Sequence, residues 1–325
     1  MKSFSRRIDL TSMTIEGVKE YPWFVELLRR WRPSGQPSER NADGKVTSLR
    51  LFVRESYLSF YAAGNLIAEV RGFRNGLYER AHRKYLGLDK TPGSSQYCRA
   101  PVCDPREVGV ELDMRIRRSF ERQSNGKTGK ETHDEKVFVE ELIEANSGVF
   151  DVETALPGAE RVLQANGRLS GAPRLDLITL QPEVAGWRAV IWEAKLSENN
   201  GGKAKDGYEL QTRLQFDAYK KWFAVEEKQA ALIAGSREIC VALVHLHNLA
   251  VALGIPILPL GDAIRDVATN PQALRSIDPN VAYAIDCRGP KGQGYKATHV
   301  SRLEEMSQGH VQTFDKGSSF ALKNI

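Results

Sequence analysis

The sequence predicts an α/β protein: a mixed central sheet flanked by helices, preceded by a smaller β-rich N-terminal domain. Three observations carry that reading. Short runs rich in β-branched and aromatic residues, separated by turn residues, fill positions 49–73. A succession of helix, strands and helix begins near His133. Within it, Arg174 to Leu180 and Arg188 to Leu196 are apolar on both sides, as central strands covered above and below must be.

The length of 325 residues fits two domains at about 150 residues each. A content of 41% hydrophobic and 27% charged residues excludes collagen-like, coiled-coil and wholly disordered chains. No apolar signal-peptide core follows Met1. The longest apolar stretch, Ile239 to Leu260, is broken by His245, His247, Asn248, Gly254 and two prolines, so a cytoplasmic protein with no membrane partner is expected. Four cysteines make no disulfide framework, and Cys98 and Cys103 lack the second Cys/His pair of a zinc site. A net charge of +5 permits a polyanionic partner without demanding one.

In chain order, Tyr21 to Trp31 reads as a short amphipathic helix with Pro22 in its first turn, followed by a Pro/Gly-rich loop to Lys45. Leu49 to Glu55, Leu58 to Ala63 and Leu66 to Phe73 read as an antiparallel meander, and a helix is expected at 75–86. These elements and a loop at 89–103 make up the N-terminal unit, residues 1–103, a candidate recognition or dimerisation module. Residues 104–132 form a basic helix and linker. Asp104-Pro105 opens the helix, and Val108, Leu112, Ile116 and Phe120 make one apolar stripe. Its Arg115, Arg117, Arg118 and Arg122 read either as a solvated face or as a phosphate-tracking surface, with Arg115 and Arg118 the candidate contacts. The core, 133–325, has helices expected at 135–146, 208–225, 239–253 and 262–268. Its strands are expected at 161–164, 174–180, 188–196 and 281–286, and the glycine-rich stretch 288–296 reads as a surface loop.

Three charges interrupt the two central strands. Side chains alternate along a strand, so Glu193 and Lys195 share one face, about 7 Å apart at Cα, with Trp192 and Ala194 on the other. Asp176 on the neighbouring strand completes the cluster. Buried charges are costly unless paired or metal-bound, so the alternatives are a salt-bridged strand end and a chemical site.

Asp176, then Glu193-Ala194-Lys195 seventeen residues on, then Gln215-Phe-Asp-Ala-Tyr219 together resemble the PD-(D/E)xK nuclease superfamily. Gln-x3-Tyr is the addition seen in its RecB-like and phage-exonuclease-like branches. The resemblance covers roughly residues 133 to 290; it departs at Leu175, where the pattern has Pro, with Pro173 two places further back. It implies a restriction-endonuclease-like core and a hydrolase of phosphodiester bonds dependent on Mg²⁺ or Mn²⁺, acting most plausibly on DNA in restriction, anti-phage defence or mobile-element processing. An RNA-directed nuclease and a catalytically silent nucleic-acid-binding protein are the alternatives. Asp176, Glu193 and the Ala194 carbonyl are the implied metal ligands. Lys195 orients the attacking water, and Gln215 and Tyr219 brace the site or meet the scissile phosphate. The superfamily's first core helix usually adds an acid. Glu135 shares a face with Phe138, Val139 and Leu142 and is the first choice, with Glu141 second. Lys220 and Lys221 are candidate backbone contacts, and a two-fold dimer is the default for double-strand cleavage.

Overall fold

A computed structural model describes residues 4–10, 13–88, 95–101, 104–124, 134–160, 173–197 and 208–325. It is a mixed α/β structure with two sheets. Helix α1 (Ile15–Lys19) starts at Thr14, whose hydroxyl accepts from the Gly17 amide. Helix α2 (Pro22–Arg29) buries Phe24, Leu27 and Leu28. Strands β1 (Arg50–Arg54), β2 (Tyr57–Ala62) and β3 (Asn65–Arg71) form the expected antiparallel meander. The β2–β3 turn uses Ala63 and Gly64, both at positive φ, which is routine only for the glycine.

The helix expected at 75–86 is a strand. Leu77, Ala81 and Tyr85 stand four apart and suit a helix. The unpaired edge of β3, however, takes Tyr78–His82 as β4, with Glu79 and Ala81 buried and Tyr78, Arg80 and His82 half-exposed. The stretch read as a loop at 89–103 supplies β5 (Tyr97–Arg99), completing a five-stranded antiparallel sheet in chain order. Helix α3 (Val108–Ser124) lays Val108, Leu112 and Ile116 over this sheet and α2.

The second sheet follows α4 (Glu135–Ala145), whose N-cap Asp134 accepts from the Lys136 amide. Strands β6 (Val149–Ala155), β7 (Arg174–Glu183) and β8 (Gly186–Leu196) form an antiparallel meander, of which β6 was not read from the sequence. The strand expected at 161–164 lies outside the described residues. Helices α5 (Tyr208–Phe223), α6 (Glu226–Ala252) and α7 (Asp262–Thr269) come next. Strands β9 (Leu274–Ile277) and β10 (Ala282–Asp286) then run parallel to successive stretches of β8. The stretch read as a loop at 288–296 contains α8 (Gly292–Tyr295). After α9 (Ser301–Met306), strand β11 (Val311–Phe314) closes the order β11-β10-β8-β7-β6, with β9 beside β8.

The apolar core is continuous across the boundary expected at 103. Strand β1 is buried on both faces. Leu51 and Val53 join Phe24, Phe60 and Ile116 in an apolar cluster that continues through Phe150, Ile178, Ile191 and Leu243. Phe52 points the other way, into a cluster with Phe138, Trp192 and Phe314. Two buried ionic clamps flank it. Arg50 Nε donates to Glu140 Oε1 at 2.7 Å, and the same guanidinium serves the carbonyls of Arg32, Pro33 and Gln36. Arg54 and Arg6 both bond Asp151, which is 0% exposed. Helix α6 is long and apolar enough to cross a membrane by length and composition. Its Leu232, Ile239, Leu243 and Leu246 are buried in the shared cluster, which accounts for that apolarity.

Candidate active site

The site lies where β7 and β8 pair below α5. The register Leu177↔Trp192 sets Asp176 across from Glu193, so two carboxylates face each other on adjacent strands. Asp176 Oδ2 accepts the Ala194 amide at 2.8 Å, and Oδ1 has no donor among the described residues. Glu193 is 2% exposed and ringed by polar partners. Its Oε1 accepts from Lys195 Nζ at 2.6 Å and from Gln215 Nε2 at 2.8 Å, while Oε2 lies 3.2 Å from the Tyr219 hydroxyl. That hydroxyl accepts from Gln215 Nε2 at 2.7 Å and reaches the Arg174 carbonyl at 2.8 Å. Lys195 Nζ is also 3.8 Å from Asp176. Four-residue spacing on α5 thus delivers Gln215 and Tyr219 to the face of β8 that carries Glu193 and Lys195. Trp192 and Ala194 point into the opposite cluster, as strand alternation requires.

The electrostatics are those of carboxylates short of positive charge. Burial, and then repulsion from Glu193, holds the Asp176 carboxyl well above the usual range despite Lys195. Glu135 is pushed up by burial, with Lys195 opposing and Glu193 adding to the rise. Burial alone would lower the Lys195 pKa, but Glu193, Asp176 and Glu135 outweigh it and raise it, so the amine is a cation at neutral pH. Tyr219 is raised by burial and then by the two carboxylates, and stays a neutral phenol.

The remaining candidates divide. Glu135, at the start of α4, lines a cavity of about 40 Å³ together with Asp176 and couples to Glu193 and Lys195. Glu141 is engaged elsewhere, bonded through both oxygens to Arg288, which also holds Asp286. Glu140, on the same helix, is buried against Arg50. Arg115 is not a surface contact: it is 3% exposed, with Nη1 at 2.5 Å from Glu79 and Nε at 3.2 Å from Glu111. Arg118 donates to the Tyr85 carbonyl at 2.9 Å. Lys220 is exposed beside the Phe216 ring, and Lys221 pairs with Glu160 on the surface.

Two residues near the site escaped the sequence reading. Tyr283 on β10 pairs in register with Glu193 and is buried beside it. Glu153 on β6 stands across from Asp176, between the pairs Val152↔Leu177 and Thr154↔Leu175, and lines the same cavity. Its φ of +49° is one that non-glycine residues rarely adopt. The available sequence signal was the run Val149 to Ala155 itself, β-branched and aromatic after Gly148.

Among the described residues no three His, Cys, Asp or Glu side chains form a ready-made metal cage. The donors present are Asp176, with one oxygen unengaged, Glu193, the Ala194 carbonyl and the nearby Glu135. Hard oxygens of this kind, fewer than a full shell, suit a Mg²⁺ or Mn²⁺ ion that keeps several waters. The raised acid pKa values mark a place where a divalent cation would be stabilising. No family model, curated protein or solved structure matches the chain.

Proposed function

We propose that the protein is a metal-dependent nuclease with a PD-(D/E)xK-type core, hydrolysing phosphodiester bonds in DNA. The observation that supports this most is the convergence of five side chains from two strands and a helix. Lys195, Gln215 and Tyr219 all reach the Glu193 carboxylate, and Lys195 Nζ lies 3.8 Å from Asp176, so residues dispersed over positions 176–219 meet at one point. The order of α4, β6, β7, β8 and α5, with Asp176 on the middle strand and Glu193-x-Lys195 on the next, also agrees with what the resemblance implies.

Asp176, Glu193 and the Ala194 carbonyl would hold the ion, with Glu135 close by. A divalent ion held there would supply a hydroxide at neutral pH and polarise the phosphoryl oxygen. Lys195, kept protonated by its acidic neighbours, orients the attacking water and stands against the negative charge that develops on the phosphoryl oxygens. Gln215 and Tyr219 fix the Glu193 carboxylate from above, a supporting layer that sets the direction of its lone pairs. The phenol stays neutral and works by donation.

One observation favours a silent reading: Glu193 Oε1 already accepts from Lys195 and Gln215, and Oε2 competes with the Arg174 carbonyl for the single Tyr219 proton. The test is cleavage of labelled single- and double-stranded DNA and RNA with Mg²⁺ or Mn²⁺, compared with the chelated protein and with Glu193→Gln. Metal-dependent cleavage that Glu193→Gln abolishes is expected. No cleavage of any substrate leaves a silent nucleic-acid-binding protein of the same architecture.

A further inference from the structure

The N-terminal sheet presents an aromatic and basic face that begins at the candidate active site and runs outward across all five strands. Its register gives the row Phe52↔Ser59, Ser59↔Glu69, Glu69↔Arg80 and Arg80↔Arg99. The inner end is buried: Phe52 is 2% exposed and packed against the core, whereas Arg80 is half-exposed and Arg99 exposed. On the same face, beside that row, stand Tyr57, Tyr61, Tyr78 and Tyr97, all half-exposed. Tyr61 and Phe52 line the cavity that also holds Asp176 and Glu135, so the face is continuous with the catalytic cluster.

The chemistry of this face is that of stacked plates and cations. The Arg71 guanidinium lies 3.9 Å from the centre of the Tyr57 ring, Arg99 sits 5.2 Å from the Tyr78 ring, and the Tyr97 and His82 ring centres are 5.2 Å apart. Three arginines oppose one carboxylate, Glu69, which is 6% exposed and held by Arg71 Nε at 3.0 Å and Arg80 Nη1 at 3.5 Å. The phenols crowd together: burial, and then Tyr61 and Glu69, push the Tyr97 hydroxyl up to about 12. Rings and guanidinium planes stack on nucleobases, while arginines meet phosphates. A duplex hides its base faces and cannot use such plates.

We infer that the outer face of the N-terminal sheet, centred on Tyr57, Tyr97, Arg71, Arg80 and Arg99, is a stacking platform that carries single-stranded DNA to the Asp176–Glu193 cluster. This deepens the nuclease reading, on which it rests, by naming the substrate as a single strand and giving the N-terminal sheet a role in the same site.

The experiment is fluorescence anisotropy of a labelled oligo-thymidine of about 16 nucleotides with the full chain in chelator, so that no cleavage occurs. Tyr97→Ala and Arg99→Glu are each expected to weaken binding about tenfold, and Arg99→Glu to reduce the salt slope by about one. Arg99 is exposed, so its variant keeps the proposal testable even if Tyr97→Ala unfolds. Unchanged affinity in Arg99→Glu, or tighter binding by the unaltered protein of duplex DNA or of oligo-uridine of equal length, overturns the platform. A separate arm follows Mn²⁺-dependent hydrolysis of bis(4-nitrophenyl) phosphate, which is too small to use the platform. Strand binding that is sensitive to both variants, with no hydrolysis of this diester, removes the nuclease reading and leaves the platform standing. Hydrolysis without strand binding removes the platform alone.

Discussion

Replacing Lys195 by alanine separates a catalytic amine from a structural counter-ion. In the ion-free protein Lys195 is the cation closest to Glu193, at 2.6 Å, and lies 3.8 Å from Asp176. Glu193 is 2% exposed, so the substitution leaves a buried carboxylate with only the neutral donors Gln215 and Tyr219. Removing one partner of a buried pair costs about 3–5 kcal/mol. The lower end applies here, because the two remaining donors persist and the Lys195 side chain is itself 15% exposed. The loss has a defined pH window. A lysine whose folded pKa is raised contributes stability that is fully present below its unfolded value near 10.4 and is lost only as pH rises through the folded value, so the titration of Lys195 itself adds no pH dependence from about pH 6 to 9. Saturating Mn²⁺ should restore about 2.7 kcal/mol at a hundred times its dissociation constant. Cleavage should nevertheless fall by about 10²–10³, the cost of losing one preorganised charge opposite the transition state. Chemical denaturation with and without Mn²⁺, beside single-turnover cleavage, measures both quantities. Recovery of stability and of full turnover together would assign Lys195 to structure and refute the catalytic role.

Other expectations follow from the same geometry. Asp176→Asn should stabilise the ion-free protein at neutral pH. An acid whose folded pKa is raised loses stability as pH climbs from about 4 toward that folded value, so thermal melts across this range should fall for the unaltered protein and stay flatter for the variant. Glu140→Ala leaves Arg50, 2% exposed, with only the more distant Glu144 carboxylate at 3.8 Å and should cost about 3 kcal/mol in urea unfolding. Because both sheets share one cluster, that unfolding should be a single transition, and a chain truncated to begin at 104 should be insoluble. Tyr219→Phe removes the hydroxyl bonded to Glu193 and Arg174, and should lower stability by about 1–3 kcal/mol in the same assay.

The site was legible because its residues follow local rules. Glu193 and Lys195 share a strand face by alternation, Gln215 and Tyr219 share a helix face by four-residue spacing, and Glu135 lies on the apolar face of its helix. What escaped depends on partners remote in sequence. Arg115 reads as a surface charge until Glu79, 36 residues away, appears beside it. Asp151 interrupts an apolar run and concealed β6, because the arginines that neutralise it lie 97 and 145 residues away. Strand β4 was read as a helix because apolar spacing in so short a stretch suits both, and the free edge of β3 decided the outcome. The continuity of the core across position 103 is hidden from the sequence for a related reason. Strand β1 shows no alternation in burial, since one of its faces packs on the N-terminal helices and the other on the second sheet.

The most direct measurement is a calorimetric Mn²⁺ titration of the full chain beside its Asp176→Ala and Glu193→Ala variants. A saturable site in the unaltered protein, abolished or greatly weakened in both variants while their melting behaviour stays cooperative, is the expected result. Mn²⁺ binding that survives both substitutions, or no binding by the unaltered protein, would contradict a metal-dependent site built on these two carboxylates.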